Sequence, residues 1–143
     1  MTASPPPPKV TPEAARAAKA SFERCCAVPD FFLCFYRNFF KQCPAAEPMF
    51  AKTDFKKQHR LIRHAIGLLL IFPNRPISEP PLLHRVAERH SRRDLGILPS
   101  MYPDFVEALI QTVREHDEAC DDAVERSWRE TIAPGIAYMQ AAY

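Results

Sequence analysis

A histidine closing an apolar helical face raises the first chemical question in this chain. In "LLHRVAERHSRRDLGILPSMYP", Leu83, Val86 and His90 recur at i, i+3 and i+7, which places them on one face of a short helix. Neutral imidazole is a common ligand for iron and other transition metals. The same pattern fits a core histidine hydrogen-bonded to a carbonyl. Two more polar side chains sit where the surrounding pattern calls for burial. Gln58 lies three residues after Phe55 and four before Ile62, and Tyr36 is embedded in "FFLCFYRNFF", where almost every direction is inward. An unpaired buried polar group costs roughly 1–3 kcal/mol, so each needs a partner. Backbone carbonyls would serve for each one singly. An inward histidine, tyrosine and glutamine on three helices have a second solution, in which the histidine ligates a group and the other two face its far side.

The elements that hold these residues follow from composition and punctuation. The 143 residues, 47% hydrophobic, suit a single domain with a substantial core. Three glycines are too few for a turn-rich sheet or a phosphate-cradling loop, which points to an all-α class. Nineteen basic against 17 acidic side chains give a net charge of +2 and no electrostatic footprint for nucleic acid. The longest apolar run, "AIGLLLIF" before a proline, is too short to span a bilayer. No charged and then apolar leader opens the chain. The five cysteines show no zinc-spaced CxxC pair, so free thiols in a reducing cytoplasm are expected.

Residues 1–10, "MTASPPPPKV", read as a disordered Pro-rich tail ahead of one domain over 11–143. Thr11 caps a first helix that has Pro12 at its first position and runs to about Cys26. "FFLCFYRNFFKQC" forms a second helix ending before Pro44, and "PAAEPMFAK" is a linker anchored by Phe50. Thr53 or Asp54 caps a third helix reaching Phe72. Its stripe of Phe55, Ile62, Ile66 and Leu69 opposes Lys56, Lys57, Arg60 and Arg63. "PNRPISEPP" breaks it, and the His90 helix then ends near Ser91. A helix from about Ser100 to His116 buries Phe105, Leu109 and Val113. The last starts near Asp121 and stripes Val124, Trp128, Ile132, Ile136 and Met139, with a kink expected at Pro134. That makes roughly six helices and no strands, the last two paired as an antiparallel hairpin.

Four stretches in order, "FYRNFFKQCP…MF", "TDFKKQHRLIRHAIGLLL", "AERHSRR…MYPDF" and "W…GIAYM", resemble a bacterial single-domain globin of the three-on-three type, related to the globin domain of flavohaemoglobins. The resemblance runs from about residue 20 to the C-terminus, and the spacing of Tyr36, Pro44 and Phe50 is its most specific part. It implies a globin fold of about six to eight helices sandwiching haem b. His90 is then the proximal iron ligand, Phe50 the wedge against the haem ring, Tyr36 and Gln58 the distal pair, and Ile62 the apolar neighbour of the bound gas. Val86 would pack under the porphyrin with its carbonyl open to the imidazole N–H. Tyr102 would stand near the proximal histidine, and Phe105 would contact the cofactor. Arg92 and Arg93 fall where the propionates should emerge, and equally fit a solvated helix end that complements the macrodipole.

The function this resemblance implies is reversible binding of dioxygen, nitric oxide or carbon monoxide by a cytoplasmic monomer or weak dimer. Oxygen delivery, or nitric oxide dioxygenation with a separate reductase, would follow, since no flavin or nicotinamide domain is evident. Two alternatives stand beside it: a haem-based gas sensor acting through a partner, and a haem-free globin-fold interaction module. The joint presence of His90, Tyr36 and Phe50 speaks against the latter. Two departures matter. The linker after Phe50 varies among globins, so Lys57 competes with Gln58 for the distal place, and the apolar stripe favours Gln58. The glutamate that completes a proximal His–Tyr–Glu relay in some relatives has no counterpart in "GIAYMQAAY", so a strong peroxidase-like electron push is not expected. His59 and His64, five apart, do not clamp a metal, although His59 flanks the distal helix and is a candidate sixth ligand. His84 and His116 read as surface residues, Trp128 as core, and Cys34 and Cys43 as plain thiols.

Overall fold

The computed structural model describes residues 10–74, 83–92 and 95–143. The first nine residues of the Pro-rich tail, most of the "PNRPISEPP" break and Arg93 lie outside the described residues. The described residues form six α-helices and two short 3₁₀ segments, with no strand. None of the helices is long and apolar enough to cross a membrane.

Local chemistry sets most helix ends. Helix α1 (Pro12–Cys26) starts at Thr11, whose side-chain oxygen accepts from the Ala14 N–H at 3.2 Å. Helix α2 spans Phe31–Gln42 and stops ahead of Pro44. The segment expected to be an irregular linker is a 3₁₀ helix over Pro44–Phe50. Its i→i+3 bonding, as in Ala46 N–H to the Cys43 carbonyl at 3.0 Å, accommodates two prolines that lack donors. Helix α3 (Phe55–Ile71) is capped by Asp54, which accepts from the N–H groups of Lys56 and Lys57, so Asp54 rather than Thr53 starts it. A 3₁₀ turn, Phe72–Asn74, follows. Helix α4 (His84–His90) is short, α5 spans Met101–His116, and α6 runs from Asp122 to Ala141 behind the cap Asp121. Pro134 lies inside α6, which continues past it to Ala141.

Helix α5 packs chiefly on α2, and α6 chiefly on α1. The sequence pairs α5 with α6, and the two do touch: Arg129 reaches Glu107 at 2.7 Å, and Arg114 reaches Asp122 at 2.8 Å and also Glu125. Their apolar faces turn to the earlier helices, where Phe35 and Phe39 meet Phe105 and Phe22 meets Trp128 edge-on. Close approach of α6 to its neighbours depends on Gly135. A Cβ there would lie 2.7 Å from Leu69 Cδ2 and 2.9 Å from Leu83 Cδ1. Gly135→Val should therefore cost about 1–3 kcal/mol through overpacking, read as a lower urea midpoint.

A buried polar network ties α1 to the α5–α6 turn. Asp117 accepts from Arg24 Nε at 2.6 Å, from Arg24 Nη2 at 2.9 Å, from Ser21 Oγ at 2.6 Å and from the Ala119 N–H at 3.0 Å. Burial alone would raise the Asp117 carboxyl, but these hydrogen bonds outweigh it and hold its pKa below the usual value. Arg24→Ala should destabilise by about 1–3 kcal/mol, less than a fully buried pair because Arg24 is 41% exposed. With the folded carboxyl below the unfolded value of about 3.9, this contribution is full above that pH. It fades as pH falls through the folded value. Urea titrations should show the gap between wild type and variant closing on acidification. His116, expected at the surface, is half-buried: its Nδ1 lies 2.8 Å from the Thr112 carbonyl and its ring abuts Phe31. His84 is exposed and pairs with Glu88 at 3.0 Å. All five cysteines are free, Cys25 and Cys43 buried.

Candidate functional site

Tyr36 lies midway along α2 and is only 4% exposed. Gln58 stands in the first turn of α3, and its Nε2 donates to the Tyr36 hydroxyl at 2.8 Å. The phenol oxygen is thus an acceptor, which leaves its own O–H hydrogen to donate elsewhere. Donation through a hydroxyl in this way strengthens the second bond. Burial pushes the Tyr36 phenol well above its ordinary pKa, outweighing the Gln58 bond, so it stays protonated at neutral pH. Lys57, the competing residue for this position, is exposed. Aromatic rings surround the phenol: Phe35 at 5.1 Å, Phe50 at 5.4 Å, Phe55 at 5.6 Å and the His59 imidazole, nearly parallel, at 5.9 Å. Ile62, one turn after Gln58, is half-buried against the core.

His90 is the last residue of α4. The buried line of that helix is Leu83 and Ala87, with Val86 and His90 half-buried beside it. Its Nδ1 lies 3.4 Å from the Tyr102 hydroxyl. Burial, helped by the nearby Arg89 charge, lowers the His90 pKa, so the imidazole is neutral and carries a lone pair at pH 7. The His90 carbonyl accepts from the Ile97 N–H at 2.9 Å, and Gly96 adopts φ +65°, a conformation suited to glycine. Tyr102 is buried on α5, and burial alone pushes its phenol up to about 12. Nearby, Gln140 donates to the Pro99 carbonyl at 3.1 Å.

Helix α5 joins the two halves. Tyr102 and Phe105 are one turn apart, and Phe105 packs edge-on at 5.3 Å against Phe35, the neighbour of Tyr36. Arg92 is exposed and holds the chain end by its backbone, with its N–H to the Tyr143 carbonyl at 3.3 Å. It borders a cavity of about 420 Å³ between α4 and the end of α6, lined also by His84, Glu88, Tyr138 and Tyr143.

Two features escape a reading by periodicity. His59 turns its ring towards α2, between Tyr36, Phe32 and Phe55, roughly 100° round the helix from Gln58. Its Nε2 is buried without a partner among the described residues. The second feature is a set of large apolar side chains left exposed beside the polar pairs. Met49 and Phe55 flank Phe50, Leu61 (61% exposed) lies one turn from Gln58, and Leu95 and Leu98 lie between His90 and Tyr102.

The arrangement suits a flat apolar group that also carries a metal. No three side chains of His, Cys, Asp or Glu converge among the described residues, and a metal carried within its own ring of ligands needs only one further ligand from a protein. Exposed apolar side chains next to a neutral imidazole and a hydrogen-bonded phenol–amide pair meet that requirement.

The globin family model matches residues 33–139. Among solved structures, the chain is similar to a protein of Pseudomonas aeruginosa PAO1 described as structurally highly homologous to a human haemoglobin. The two share 35% identity over 91% of this chain and 98% of that one, with a TM-score of 0.85. No curated protein matches.

Proposed function

Since the chain belongs to the globin family and is a haem-binding globin, we propose that it seats haem b between the His90–Tyr102 pair and the Tyr36–Gln58 pair and binds dioxygen and other diatomic gases reversibly. The observation that carries this reading is the pairing itself: two hydrogen-bonded polar pairs linked through α5, each flanked by exposed apolar side chains. Haem bound there would supply an iron that His90 would ligate and that would take up a diatomic gas.

The chain's own residues do the rest. His90 presents a neutral nitrogen, and Tyr102 near its Nδ1 steadies the ring plane. Val86 and Phe105 add apolar contact beneath and beside it. Gln58 donates into the Tyr36 oxygen, which leaves the Tyr36 O–H to donate, and that O–H would favour a ligand that carries partial negative charge. Phe50, Phe55 and Ile62 keep water from this donor. The Tyr36–Gln58 pair supports the three-on-three, flavohaemoglobin-related subtype, with oxygen delivery or nitric oxide dioxygenation fed by a separate reductase as its roles. An absorption spectrum of the purified protein tests the reading. An intense Soret band is expected as purified or after adding haem, and a protein that takes up none refutes it.

A further inference from the structure

Charge in this molecule is sorted, although its net value is only +2. Helix α3 carries Lys56, Lys57, Arg60 and Arg63 and no acidic residue. All four are exposed, and none has an ion-pair partner among the described residues. Helical geometry gathers them into an arc of roughly 120°. Lys56 and Arg60 are four apart, and Arg60 and Arg63 three apart, spacings at which like charges repel. By contrast Arg24, Arg114 and Arg129 all pair with carboxylates, and the acids Glu118, Asp121, Asp122 and Glu125 collect at the α5–α6 turn. Leu61, the most exposed large apolar side chain, lies on α3 between Lys57 and the Gln58 face.

An exposed apolar side chain at the edge of a face of unpaired cations, on the helix that also carries Gln58, has the composition of a transient docking surface. We infer that the α3 face of Lys56, Lys57, Arg60 and Arg63, with Leu61 at its edge, docks an acidic one-electron carrier protein that reduces the haem iron. This inference rests on the haem-binding reading. Dioxygen binding needs ferrous iron. One electron passes from the reduced centre of the carrier to ferric iron, the carrier is oxidised by one electron, and no bond is made or broken. The stripe from Lys56 to Arg63 is only about 10 Å long, too short to track a nucleic-acid backbone. A single exposed leucine is also little apolar area for a membrane surface.

The test follows ferric holoprotein mixed anaerobically with reduced plant-type ferredoxin, an acidic carrier, with the Soret band recorded by stopped flow at several salt concentrations. The wild-type rate should fall steeply with salt. Lys56→Glu/Arg60→Glu/Arg63→Glu should slow the low-salt rate roughly 10- to 1,000-fold, and the corresponding glutamine triple should slow it less. Photoreduced riboflavin, a small neutral donor, should reduce all three equally, and circular dichroism should show all three equally helical. Equal ferredoxin rates in wild type and the charge-reversed triple overturn the inference. So does a cation-dependent shift of duplex DNA, pelleting with phosphatidylserine vesicles or self-association that outcompetes ferredoxin. A chain with a Soret band but charge-independent reduction defeats only the docking surface, whereas one that binds no haem defeats the underlying reading as well.

Discussion

His90→Ala should abolish stable haem retention. On the proposed site His90 gives the only protein bond to iron, from a neutral imidazole held near Tyr102. A ligand present at 100 to 1,000 times its dissociation constant stabilises the fold by about 2.7–4.1 kcal/mol, and that stabilisation leaves with it. The variant should therefore lose the Soret band and unfold at a lower urea concentration in the same experiment. His84→Ala is the matched control, because His84 is exposed on the first turn of the same helix and makes surface pairings with Glu88 and Tyr138. A wild-type ferrous spectrum in His90→Ala, combined with its loss in His84→Ala, would sink the proximal assignment.

Tyr36→Phe should raise the dioxygen off-rate by roughly 10- to 100-fold. A hydrogen bond to a partly charged acceptor contributes about 1.5–3 kcal/mol, and each 1.4 kcal/mol is tenfold. The bond forms only after the gas arrives, so its loss appears in release rather than capture. Carbon monoxide draws little charge from iron and should respond far less. Gln58→Leu should have a smaller effect, since it removes the group that aims the phenol and not the donor itself. The double variant should be non-additive, because the two side chains form one hydrogen-bonded unit. Stopped-flow displacement of dioxygen by carbon monoxide measures all of this. An unchanged off-rate in Tyr36→Phe would mean that the phenol donates elsewhere.

Helix ends and helix faces were readable from the chain because they depend on residues three or four apart. Thr11, Asp54 and Asp121 act as caps through their own side-chain oxygens, and Tyr36, Gln58 and His90 stand out because each interrupts an apolar local pattern. That reasoning also favoured Gln58 over Lys57, and the structure pairs Gln58 with Tyr36. Which helix packs on which is a non-local matter. The pattern pairs α5 with α6 as a hairpin, and the two share arginine–carboxylate ion pairs, but it does not reveal that α5 packs chiefly on α2 and α6 chiefly on α1. The imidazole of His116 is half-buried only because α2 brings Phe31 to it, and His59 lies against α2 because Tyr36 and Phe32 form a flat surface there. Periodicity says which side of a helix a residue occupies. Only the assembled helices decide what covers that side, which is why the exposure of Leu61 beside Gln58, and the lack of an ion-pair partner for the α3 cations among the described residues, belong to the tertiary structure alone.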